Sequence, residues 1–175
     1  GVKVHLHCYE YKRNHLHSQE LEGICHSVEY YDRQDNIFKM ISTLPYIANT
    51  RYSERLVDNL LKDDYPILIE GLHSSMLLRD KRLRGRKMYV RMHNIEHEYY
   101  GRLSQVEKNW IKRIYLKLEV PRLKRFEQVL HNASGVFAIT AKDKAYLEEK
   151  GYNNVVFLPS SLQYECVNSI EGQGT

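Results

Sequence analysis

The run His93-Asn94-Ile95-Glu96-His97, followed by Glu98, Tyr99 and Tyr100, is the densest group of chemically capable residues in this 175-residue sequence. It fits the pattern H-x-x-E-H. In that pattern two imidazoles on one helical face hold a zinc ion, and the carboxylate between them serves as general base. The run also admits a second chemistry. A short strand, Lys87–Met92, ends directly before His93, and open α/β sheets bind ligands outside the carboxyl ends of their strands. On that reading His93, Asn94 and Glu96 meet a substrate and hold no metal. The zinc reading needs a helix running through His93 and a third ligand, and no other segment offers an obvious one. A zinc metallohydrolase is therefore the alternative.

Other groups carry weaker signals. His5 and His7 share one face of an alternating strand, with His15 and His17 nearby, but an ordinary covered strand explains them without a metal. Cys8, Cys25 and Cys166 are odd in number and lack metal-site spacing, which predicts reduced thiols, with Cys8 and Cys25 buried. Neither GxGxxG nor GxxxxGK[ST] occurs, against an ordinary dinucleotide or P-loop site.

The net charge of +4 conceals a basic middle. From Arg79 to His131 there are 15 Lys or Arg against 6 Asp or Glu. That balance points to an anionic partner. A membrane surface met through Arg79–Arg125 is the preferred candidate; nucleic acid is not, because no recognised nucleic-acid module accompanies the charge. A non-catalytic anion-binding module is a further alternative. The apolar residues of the long helical pattern are expected to pack on the sheet, leaving electrostatics as the mode of membrane contact.

The elements that must position the central run alternate in type. Val2–Tyr9, Cys25–Tyr31, Pro66–Gly71, Lys87–Met92, Gly135–Thr140 and Asn154–Leu158 read as strands, Pro66–Gly71 and Gly135–Thr140 as buried on both faces. Helical spacing predicts Ile37–Ile47 broken at Pro45, Arg51–Lys62, a short Met76–Arg82, and a long pattern from Leu103 to Leu130 kinked or divided at Pro121. Arg13–Glu22 is only weakly helical. Thr140 and Asp143 form a capping box for Ala141–Lys150, with Gly151 as the stop. This alternation implies a Rossmann-like, doubly wound, mainly parallel α/β sheet.

The succession ILIEGLHSS, YVRMHNIEHEYYGRL, RFEQVLHNAS, GVFAIT, KDKAYLEEKG and NVVFLPSS resembles the amino-terminal half of GT-B glycosyltransferases, and is most similar to the retaining family four. The resemblance covers about Val2 to Ser161, and is most specific at His93-Asn94-Ile95-Glu96 and in the last three segments. It implies an acceptor-side domain of an enzyme that moves sugar from a nucleotide-sugar donor to a hydroxyl acceptor, in envelope polysaccharide or glycolipid synthesis. His93 would act on the transferred sugar as the catalytic residue. His73, Ser74, Asn94 and Glu96 would contact substrate. No metal or other cofactor is implied.

Two departures follow from the resemblance. The family's opening strand, Gly-rich loop and helix do not precede Val2, and its donor-binding carboxyl-terminal domain with paired glutamates is absent. The expectation is a chain cut short at both ends. Residues 1–161 would form the domain and 162–175 a linker to the absent half, through which the nucleotide sugar would bind. Such a chain would be inactive alone, with a gap where its central first strand belongs. The implied location is cytoplasmic, at the inner face of the membrane.

Overall fold

The computed structural model describes residues 1–10 and 18–159. The expected linker 162–175, together with His15, His17 and Cys166, lies outside the described residues. The fold is α/β and Rossmann-like, with every described strand pairing parallel. Strands β1 (His5–Glu10) and β2 (Ser27–Asp32), joined through α1 (Ser18–Ile24), form one two-stranded sheet. Strands β3 (Ile67–Glu70), β4 (Met88–Met92), β5 (Gly135–Ala138) and β6 (Val155–Phe157) form a second, in the order β3-β4-β5-β6. Between them lie two short helices, α2 (Tyr46–Asn49) and α3 (Glu54–Leu60). Tyr31 of β2 belongs to the same buried core as Leu56, Val57 and Leu60 of α3, so the small sheet is packed to the rest.

Among the described residues β1 pairs only with β2, and β3 only with β4. The Ile67 and Gly71 amides donate to the Lys87 and Arg91 carbonyls. Backbone groups alternate sides along a strand, so those of Leu68 and Glu70 point to the unpaired edge.

The unidirectional strand order decides where the helices go. A crossover between parallel strands is right-handed in almost every known case. When each new strand is added on the same side of the last, every crossover helix falls on the same face. The connections here are the 3-10 segments Leu72–Arg79 and Lys81–Leu83, then α4 (Glu96–Val106) with α5 (Trp110–Phe126), and then α6 (Ala141–Glu149). Burial follows. Ile69, Met88, Val90, Met92, Val136 and Ala138 point to the helical side and are buried. On the other face Leu68 is 54% and Val156 48% exposed. The strand Pro66–Gly71, expected to be covered on both faces, is covered on one.

Several local expectations are corrected. Pro121 does not divide the long helix. It sits inside a continuous α5 on the exposed side, where the Lys117 carbonyl that it leaves unpaired is open to water. The break comes at Glu107–Asn109, where the Asn109 side chain accepts from the Ile111 and Lys112 amides and starts α5. The apolar stripe of this helix is not committed to the sheet. Leu116, Leu123 and Phe126 are buried, whereas Trp110, Ile111, Ile114 and Leu118 are exposed. Pro45 opens α2 and does not end a helix; Ile37–Met40 ahead of it is an exposed single 3-10 turn. Met76–Arg82 is not one helix but parts of two 3-10 segments, Leu72–Arg79 and Lys81–Leu83. Cys8 and Cys25 are half-buried free thiols. His5 and His7 bond Ser27 and Tyr31 across the β1–β2 pair, each at 2.8 Å, as structural residues.

Two buried or nearly buried carboxylates tie the layers together. Pro45 cannot cap α2 through its side chain, and Glu119 of α5, wholly buried, accepts from the Tyr46 amide at 2.8 Å. Its other oxygen accepts from Arg122 at 2.9 Å. Removing one partner of a buried charged pair leaves the other uncompensated. Because Arg122 keeps some access to water, Glu119→Ala is expected to cost about 2–4 kcal/mol in denaturant unfolding. A loss below about 1 kcal/mol would show that Glu119 does not hold α2 to α5.

Asp80 accepts from the Tyr52 hydroxyl at 2.6 Å and from the Arg82 guanidinium at 2.7 and 3.1 Å. The hydrogen bonds from Arg82, reinforced by Tyr52, hold its carboxyl well below the usual carboxylate range. The unfolded chain therefore takes up this proton first as pH falls. The stabilisation is fully present above the unfolded value near ~3.9 and is lost as pH falls through the folded one. Asp80→Asn should flatten the acid limb of stability against pH in that window, by calorimetry or urea titration; an unaltered limb would remove Asp80 from acid unfolding.

Candidate functional site

The site is built at the carboxyl ends of β3 and β4. Strand β3 is apolar until its last residue, Glu70, and β4 alternates so that Arg91 shares the face of Glu70, its register partner. The two side chains are 3.5 Å apart. One residue beyond Met92 the chain leaves β4, and His93 reaches back to Glu70: Nε2 lies 2.6 Å from Oε2. Both are half-exposed, His93 at 52% and Glu70 at 50%. With the Nε2 proton shared with Glu70, Nδ1 remains free to accept from a ligand hydroxyl, or to donate when the ring is charged.

Gly71 then turns β3 into the segment Leu72–Arg79 at φ 79, ψ 156, a conformation that a side chain would strain. That turn sends His73 toward α4. His73 Nε2 lies 2.9 Å from Glu96 Oε2, without the alignment of a hydrogen bond, and the ring sits edge-on to Tyr100. Glu96 is 4% exposed at the start of α4, where a carboxylate also meets the positive end of the helix. Ser74 has its amide on the Gly71 carbonyl at 3.2 Å, as part of the turn. Asn94 Oδ1 is buried and has no hydrogen-bond partner among the described residues.

His97 goes elsewhere. Its Nδ1 is 3.3 Å from Glu127 Oε2, in a nearly closed pocket where Glu127 also accepts from the Tyr146 and Tyr152 hydroxyls at 2.9 and 3.1 Å. Burial, together with the Glu127 carboxylate, pushes both phenols up from their ordinary range.

The zinc reading does not fit this geometry. Helix α4 begins at Glu96, so His93 lies before it, and His93, Glu96 and His97 turn to three different partners. Among the described residues no three His, Cys, Asp or Glu side chains converge as a metal site would require. Of the expected substrate residues, His73 and Glu96 are brought together, and His93, Asn94 and Ser74 stand at the same end of the sheet. Sequence reasoning missed Glu70 and Glu127. For Glu70 the signal was a lone carboxylate closing an apolar strand; for Glu127, one apolar turn too far along a helix, there was none.

No family model matches the sequence. The chain is 27% identical over 158 residues to the "Uncharacterized 44.6 kDa protein in cps region" of Klebsiella pneumoniae, an alignment covering 88% of this chain. It spans 39% of the length of that relative.

Proposed function

We propose that this chain is the acceptor-side domain of a glycosyltransferase that moves a sugar from a nucleotide-sugar donor to a hydroxyl acceptor in polysaccharide or glycolipid synthesis. The observation that carries the reading is the exposed His93 imidazole, fixed by Glu70 at the carboxyl tip of an internal parallel strand. The likeness to a protein of a capsule-synthesis gene cluster supports a polysaccharide role at a coarser level.

Glycosyl transfer develops positive charge on the sugar ring. A fixed imidazole–carboxylate pair suits that demand, since its dipole and charge are in place before the reaction begins. In this reading Glu70 orients His93, and His93 Nδ1 bonds a hydroxyl of the transferred sugar, with Asn94 beside it in the chain. The His73–Glu96 pair forms the floor of the acceptor side, beside Ser74. The nucleotide is held by a second domain, and the reaction uses no resident metal.

The test is kinetic, in a polypeptide carrying this domain with its donor-binding domain. His93→Ala should lower kcat on the order of 10²-fold with little change in donor Kd, because the interaction strengthens in the transition state. Glu70→Gln should lower kcat less. An unchanged kcat in His93→Ala would remove the imidazole from the mechanism. The 175-residue chain alone should bind nucleotide sugars no tighter than about 1 mM in calorimetry; tighter binding would contradict the division of labour.

A further inference from the structure

Helix α5 has two apolar faces on nearly opposite sides. Leu116, Glu119, Leu123 and Phe126 recur at three- and four-residue steps and are buried against the domain. Trp110, Ile111, Ile114 and Leu118 recur at one-, three- and four-residue steps about 150° away, and face out at 65%, 60%, 50% and 55% exposure. Val106, at the end of α4, is a further exposed apolar side chain, at 73%. A helix with one stripe to bury accounts for the first set. The second has no partner among the described residues, and contiguous exposed apolar surface of this kind marks an interaction site.

The charges around the patch identify its partner. From Lys108 to Arg125 there are 7 Lys or Arg and a single acid, Glu119, which is wholly buried and engaged with Arg122. Arg113 and Lys117 flank the exposed stripe on one side and Arg122 on the other. A second copy of this chain docking by the same face would set these charges against one another across a two-fold axis. A bilayer with anionic headgroups meets both features at once: acyl chains for the apolar residues, phosphates for the ring of Lys and Arg. No helix among the described residues is long and apolar enough to cross a membrane.

We propose that the Val106–Leu118 face of the α4–α5 hairpin inserts into the interface of an anionic phospholipid membrane, with α5 lying in its plane. Trp110 sits at the headgroup level, as its amphipathic ring favours, while Ile111, Ile114 and Leu118 reach the acyl boundary. The stems of Arg113 and Lys117 rise beside them to the phosphates, while Arg122 stays on Glu119. This inference does not depend on glycosyl transfer.

Trp110 is the only tryptophan in the sequence, so its emission reports the face directly. The 175-residue chain is mixed with vesicles of phosphatidylcholine, with and without phosphatidylglycerol, some carrying brominated acyl chains. With anionic vesicles the expected result is co-sedimentation, a blue shift of Trp110 emission, and bromine quenching. The double variant Ile111→Ser, Ile114→Ser changes two exposed side chains and should keep its far-UV circular dichroism. It should lower partitioning at least about tenfold, since each lost aliphatic contact removes more than one buried methylene. Co-sedimentation with unmoved, unquenched emission would mean surface electrostatics alone and overturn insertion. A blue shift without vesicles that grows with protein concentration would assign the face to self-association and overturn the proposal equally.

Discussion

The handedness of the crossover connection is the constraint on which this structure depends. Four parallel strands added in one direction cannot distribute their helices over both faces of the sheet. Once β3 to β6 are laid down in order, α4, α5 and α6 must share a side, and the buried surface of the sheet is fixed to that side. The carboxyl ends of β3 and β4 are then the place where polar side chains can gather without losing water. Glu70 and His93 occupy that place, and α4 starts there with Glu96 at its positive end.

The same end of the sheet shows how like residues come to do unlike work. Three imidazole–carboxylate pairs lie along it, His93 with Glu70, His73 with Glu96 and His97 with Glu127. Glu127 also takes two tyrosine hydroxyls and is 1% exposed, so its pair is committed to packing α4 against α6. Glu96 is nearly as closed. Of the three, only the His93 pair is open to solvent on both members.

The sequence disclosed element types well because parallel strands and their helices carry strong local patterns. Thr140 caps α6 through the Asp143 amide as its spacing implies, and β4 alternates as written. What it concealed was environment. An apolar residue in α5 reads alike whether it packs inward, as Leu116 does, or outward, as Ile114 does. Helical spacing alone could not separate the two stripes, because both have it. Leu68 misled for a similar reason: a continuous apolar run matches a strand covered on both faces, but coverage depends on strand order, which no local window contains. The division at Asn109 was legible from its capping side chain, whereas Pro121 on the exposed side of α5 interrupts nothing.

Among the described residues the edge of β3 away from β4 is unpaired. Leu68 and Glu70 turn backbone donors and acceptors outward, and the exposed Leu68 side chain lies on the uncovered face beside them. Such an edge is a template on which an extended segment of any chain can continue the sheet, since the main-chain groups impose a spacing but no side-chain identity. Natural sheets discourage this with lysines, prolines or a covering loop; β3 has Pro66 only at its entrance and a single charge at its exit. Among the described residues nothing pairs with this edge, and a lysine at Leu68 would set a charge beside it that discourages pairing with a neighbour.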